Sequence, residues 1–144
     1  MKPSTALIRE LAELAPLFDR LRADGLRRRN LTLPRRRLLM FLHECGRLRS
    51  SELAQRLAVT PRAVTALVDG LVDSGYVERR PDSSDRRATF VELTDSGIEI
   101  CSDMQKALDS FAAQLFAEIS PSDVEAAVKT IAVIRKNFEQ MLAP

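Results

Sequence analysis

Tryptophan is absent, and tyrosine and histidine occur once each in 144 residues. The two cysteines, Cys45 and Cys101, share no C-x-x-C spacing, and His43 beside Cys45 has no further ligand near it in sequence. A structural zinc site is therefore not expected, and both thiols read as buried and inert. Glycines number only five and never cluster into a phosphate-cradling loop. No nucleophile is spaced against a base, so nothing points to an enzyme, a metal or a cofactor. A run of 18 apolar residues is lacking too, as is a basic-then-apolar leader, which gives the expectation of a cytoplasmic protein that does not engage membranes.

What is present is a chain with 45% hydrophobic residues, enough for one compact domain or one protomer of an obligate dimer. The net charge of +2 conceals an asymmetry. Lys and Arg number 7 against 4 acids in residues 1–30, 11 against 8 in residues 31–94, and 4 against 8 in residues 95–144. A basic head and an acidic tail suit a protein that turns one face to a polyanion.

The stretch from Thr60 to Leu93 organises the rest. Thr60 is placed to cap a helix whose first residue is Pro61, and Gly75 is placed to stop it. Val64, Leu67, Val68, Leu71 and Val72 recur at helical spacing and face a core, leaving Pro61, Arg62, Thr65, Ala66 and Asp69 on the opposite face. That outer face is small and polar. It lets a helix lie deep in a DNA major groove about 12 Å wide, with Arg and Thr to donate there. Two β-prone runs follow, Tyr76–Arg80 and Ala88–Leu93, joined by the turn-rich segment Pro81–Arg87. The hairpin carries Arg79, Arg80, Arg86 and Arg87, guanidiniums suited to phosphates or a narrow minor groove. Helix plus basic hairpin is a winged helix-turn-helix.

Ser-Glu-Leu-Ala (51–54), Val-Thr (64–65), Leu-Val-Asp (67–69), Gly-Tyr-Val-Glu-Arg (75–79), Asp-Arg-Arg (85–87) and Leu-Thr-Asp-Ser-Gly (93–97) occur in an order and spacing that resemble the multiple-antibiotic-resistance regulator (MarR) family of bacterial transcription factors. The resemblance extends over essentially the whole chain. It implies a homodimeric repressor on double-stranded DNA, bound at a pseudo-palindromic operator and released by a small anionic or aromatic effector. It also implies that Asp85 steadies Arg87 in the family's Asp-x-Arg pattern, with Arg87 entering the minor groove. A charge-assisted pair would hold that long side chain in one orientation. The implied fold class is mainly α with a small β-wing: a winged helix-turn-helix DNA-binding domain at residues 31–94, and a helical dimerisation region formed by residues 1–30 and 95–144.

Three features of the remaining chain carry expectations. Ser50 or Ser51 is expected to cap the first helix of the helix-turn-helix and to stand at the DNA-facing surface. The apolar stripe through Leu7, Leu11 and Leu14 runs into Leu17, Phe18 and Leu21, with Pro16 expected to kink that first helix. Residues 95–119 and 121–142 give two more apolar-striped helices, more greasy surface than one small winged domain covers.

The chain also departs from its family. Arg35 and Arg36 stand where a glutamine and an aromatic residue are common, and Ala66 and Gly70 stand where arginine is frequent. The missing helix arginines leave a second class of reading open, a winged-helix protein-interaction module without sequence-specific DNA binding.

Overall fold

The computed structural model describes residues 1–144. Six helices and three short strands follow one another as α1 (Pro3–Arg28), α2 (Leu33–Cys45), β1 (Leu48–Arg49), α3 (Ser50–Leu57), α4 (Pro61–Asp73), β2 (Val77–Pro81), β3 (Thr89–Leu93), α5 (Asp95–Leu115) and α6 (Pro121–Leu142). Two compact units divide the chain, Met1–Cys101 and Ser102–Pro144, so the division falls inside α5. No helix is long and apolar enough to cross a membrane.

Local chemistry sets most helix ends. Thr32 Oγ1 accepts from the Arg35 amide at 3.4 Å and opens α2, while Gly46, at φ 73°, closes it with an amide bonded to Leu42 O at 2.9 Å. Thr60 Oγ1 accepts from the Ala63 amide at 3.1 Å, and Ser120 Oγ from the Asp123 amide at 3.2 Å. Each side chain satisfies a donor that the helix cannot. Thr94 does two things: its hydroxyl accepts from the Gly97 amide and donates to Gly75 O, tying the start of α5 to the end of the α4 turn.

The start of α3 differs from expectation. The capping position is Arg49, whose amide donates to Glu52 Oε1 at 3.2 Å, and Ser50 and Ser51 lie inside the first turn. β1 ends at Arg49, so the helix begins directly from the strand and leaves no free residue for a serine cap. The residue that follows α3 also departs from regularity, for Ala58 takes a left-handed φ of 53° in the tight turn between α3 and α4.

The three strands form an antiparallel sheet in the order β1-β3-β2, with Leu48 opposite Val91 and Val77 opposite Leu93. The hairpin strands sit one residue later than the β-prone runs suggest at their starts, and β2 extends to Pro81. Proline is tolerated there because β2 is an edge strand and its missing N–H breaks no internal ladder. The core of the first unit is built from α2, α3, α4 and the sheet: Leu38, Leu39, Leu53, Val64, Leu71 and Val91 are all fully buried. Val72, expected among them, is 37% exposed, because it falls at the margin of the stripe that Val64, Val68 and Leu71 define.

α1 runs unbroken through Pro16, and neither α1 nor α6 has a buried residue. Of the two cysteines only Cys101 is buried; its thiol lies 3.7 Å from Leu39 O, and burial raises its pKa against a smaller opposing influence of Arg36. Cys45, expected to be buried as well, is exposed at the last residue of α2, where the chain turns outward at Gly46.

Candidate nucleic-acid interface

α4 presents Pro61, Arg62, Thr65, Ala66 and Asp69 to solvent, as the helical spacing predicts. Thr65 is exposed and donates its hydroxyl back to Pro61 O at 3.0 Å. Arg62 makes no ion pair, so its five donors are open. Asp69 differs: its carboxylate accepts from Arg79 Nη2 at 2.5 Å, joining the middle of α4 to the start of the wing. Ser50 is half-buried and Ser51 exposed at the start of α3, and Thr60 is exposed at the cap of α4.

The four hairpin arginines fall into two classes. Arg79 is held by Asp69, and Arg80 bridges two carboxylates, Glu92 at 2.8 Å and Glu78 at 2.9 Å. Glu78 and Glu92 lie directly opposite on β2 and β3, a like-charge pairing that would weaken the ladder without a cation between them. Hydrogen bonds to Glu92 first, then to Glu78, push the Arg80 pKa up, and the same contact with Arg80 holds Glu92 below the usual carboxylate range. Arg86 and Arg87, at the tip, are exposed and enter no ion pair. The wing therefore spends two arginines on its own geometry and keeps two free.

Asp85 does not grip the Arg87 guanidinium. Its Oδ1 accepts from the Arg87 backbone amide at 3.0 Å, and Ala88 N donates to Asp85 O at 3.1 Å. The carboxylate shapes the turn and leaves the arginine side chain unpaired. An Asp two residues before an amide competes well for that donor, since the local turn costs less ordering than fixing a long side chain.

The residue that anchors the tip is Asp82, which the sequence shows only as an offsetting charge. It is 5% exposed and forms three contacts: Arg49 Nη2 at 2.6 Å, and the Ser84 hydroxyl and amide at 2.7 and 2.9 Å. The Ser84 hydroxyl, then its amide, hold the carboxyl below its usual range, with Arg49 adding to the effect and burial opposing it. Arg49 comes from β1, 33 residues earlier, and its guanidinium also lies 5.4 Å from the Phe90 ring centroid, with Arg47 at 4.4 Å. Cation–π contact at these distances orders both guanidiniums over the ring. No local sequence signal pairs residue 49 with residue 82; only the strand order β1-β3-β2 brings them together.

The MarR family profile matches residues 31–89, from two residues before α2 to the first residue of β3. The multiple antibiotic resistance protein MarR of Salmonella typhimurium is 31% identical over 108 residues, which cover 70% of this chain and 75% of that protein. The HTH-type transcriptional repressor YetL of Bacillus subtilis is 42% identical over 60 residues, 42% of this chain and 36% of its own length. Among solved structures, RV1404 from Mycobacterium tuberculosis shares the fold with a TM-score of 0.83 over 94% of each chain, at 22% identity.

Proposed function

The chain belongs to the MarR family of DNA-binding transcriptional regulators, and from that premise we propose that it acts as a homodimeric, sequence-specific repressor on a pseudo-palindromic operator. Members of this family regulate transcription and are not enzymes. In this reading residues 31–94 form the DNA-binding domain, and residues 1–30 and 95–144 the dimerisation region. α4 enters the major groove through Arg62, Thr65 and Ala66, with Pro61 and Thr60 at its leading end and Ser50 and Ser51 on the flanking helix. Two such helices one DNA turn apart, roughly 34–36 Å, would read the two half-sites. The wing tip reaches the adjacent groove through Arg86 and Arg87.

The observation that carries the reading is where unpaired cations stand: Arg62 on the exposed face of α4 and Arg86 and Arg87 at the wing tip have no carboxylate partner, while the ion pairs of Arg49, Arg79 and Arg80 brace the wing between them. Dimerisation is supported by the apolar residues that α1 and α6 leave in solvent, among them Phe18 at 50% and Ile131 at 52% exposure. Release by a small anionic or aromatic effector is supported by Arg36, half-buried without a carboxylate partner. An effector would act by binding better to the geometry that does not fit DNA.

Selection of bound sequences from a random DNA pool at near-physiological salt tests the reading, since phosphate-only binding is weakened there and specific binding survives. An enriched inverted repeat is expected. No enrichment by folded, dimeric protein would sink sequence-specific binding and favour a protein-interaction module. A screen of small aromatic acids against DNA affinity and melting temperature tests the effector, and a screen without any shift in either would remove it.

A further inference from the structure

Gly70 leaves a gap on the recognition helix that is filled from another element. A Cβ placed on Gly70 would meet the guanidinium of Arg35, 2.7 Å from Cζ and 3.0 Å from Nε, with Nη2 nearer still. Arg35 belongs to the first turn of α2, and its side chain crosses to α4 and lies against the bare helix backbone. Gly70 follows Ala66 by one helical turn, at the edge of the exposed face that also carries Arg62. The two residues that depart from the family pattern by losing an arginine at 70 and gaining one at 35 are thus in contact.

This guanidinium has no counter-ion in the protein. Arg35 makes no ion pair; of the two carboxylates on α4, Asp69 is taken by Arg79 and Asp73 forms no bridge. The first turn of α2 contains no acid, and Arg36 and Arg37 follow directly. Positive charge is disfavoured near a helix N-terminus, and a half-buried cation without a partner is costly. The arrangement is relieved when a polyanion lies along α4.

We infer that Arg35 is a DNA-backbone contact delivered to the recognition helix from α2, and that Gly70 is kept side-chain-free to receive it. The inference rests on the DNA-binding reading above. Each protomer thereby recovers on one flank of α4 a phosphate-binding guanidinium that the helix itself lacks at Ala66 and Gly70. On the other flank, Arg79 is held by Asp69. Phosphate is the partner because Arg35 lies at the margin of the helix, where the DNA backbone passes, while base edges face Arg62, Thr65 and Ala66.

The test is a titration of the full-length protein by fluorescence anisotropy, on an operator duplex and on a non-operator duplex of equal length, from about 50 to about 200 mM salt. R35A, G70A and R35A/G70A are compared with wild type and with R87A, each shown to be folded by circular dichroism. R35A is expected to weaken binding to both duplexes by a similar factor and to lower the salt slope by about one unit per bound protomer. G70A improves helix propensity, yet its methyl displaces the guanidinium, so it should weaken DNA binding in the same way. The double variant should bind no more weakly than R35A alone. An unchanged slope for R35A would overturn the contact, and a G70A effect fully additive to that of R35A would overturn the role of Gly70. If wild type binds neither duplex the DNA-binding reading itself fails; if R87A loses affinity and R35A does not, only this inference does.

Discussion

Thirteen of the fifteen buried apolar residues lie between Leu31 and Val91, whereas eighteen of the twenty exposed large hydrophobic residues lie in residues 1–30 and 95–144. The winged domain closes its own core within one chain. Helices α1 and α6 do not. α1 and α6 each carry an apolar stripe with nothing buried beneath it, and monomeric proteins rarely leave large apolar faces in water. The difference teaches that the two regions meet different demands: one encloses its own core, and the other leaves apolar faces that the proposed homodimer would cover.

The largest expected effect comes from breaking the second region. The double variant I131D/F138D places two charges on the apolar side of α6, at positions 52% and 53% exposed in the single chain. Analytical ultracentrifugation should find a monomer, with operator binding lost at concentrations that saturate the wild type. A variant that stays dimeric would remove α6 from the interface. Next in size is the core of the first region. Leu39→Ala, at a residue with no exposed surface, should lower the free energy of unfolding by about 2–5 kcal/mol in denaturant titrations at fixed protein concentration. A loss well under 1 kcal/mol would mean that the winged domain does not depend on its own core.

A smaller effect, with a sign in pH, should separate the wing from that core. Asp82 has its folded pKa held below the unfolded value, chiefly by the Ser84 hydroxyl and amide. Its carboxylate therefore contributes stability in full above the ordinary carboxylate pKa of about 4, and that contribution fades as pH falls through the lowered folded value. The hydrogen-exchange protection of amides in residues 82–88, taken relative to the intrinsic rate at each pH, should fall below about pH 4, while amides around Leu38 and Leu39 stay protected. In D82N the acid sensitivity of the tip should disappear; a tip that still loosens over the same range would assign the titration to another group. The smallest expected change is for Arg79→Ala. The pair with Asp69 is largely solvated, with side chains 37% and 59% exposed, so thermal unfolding should report a loss below about 1 kcal/mol. A larger loss would make that bridge between α4 and the wing a part of the domain's stability.

Much of the winged domain was legible in the chain because its signals are local. Thr60, Pro61 and Gly75 delimit α4 by their own backbone chemistry, and Val64, Val68 and Leu71 mark its inner face through the helical repeat. The exposure of Arg62, Thr65 and Ala66 was readable for the same reason. The Ser50 or Ser51 cap was not, since β1 runs directly into α3 and Arg49 takes the position. Nor was the exposed Cys45. Charge counting treated the hairpin arginines as equals, and the family resemblance implied Asp85 as a partner of the Arg87 side chain; which donor a carboxylate takes depends on where the turn brings the backbone.

By itself the sequence determined the helices, the hairpin, the family and the exposed face of α4, because capping, periodicity and turn chemistry act over a few positions. Only the tertiary structure decided which cations are free. Arg49 finds Asp82 across the sheet, Arg80 sits between Glu78 and Glu92, Arg79 reaches Asp69, and Arg35 lies on Gly70. Pairings of this kind depend on strand order and helix packing, and a guanidinium on a flexible stem takes whichever carboxylate or open backbone the fold sets within its reach.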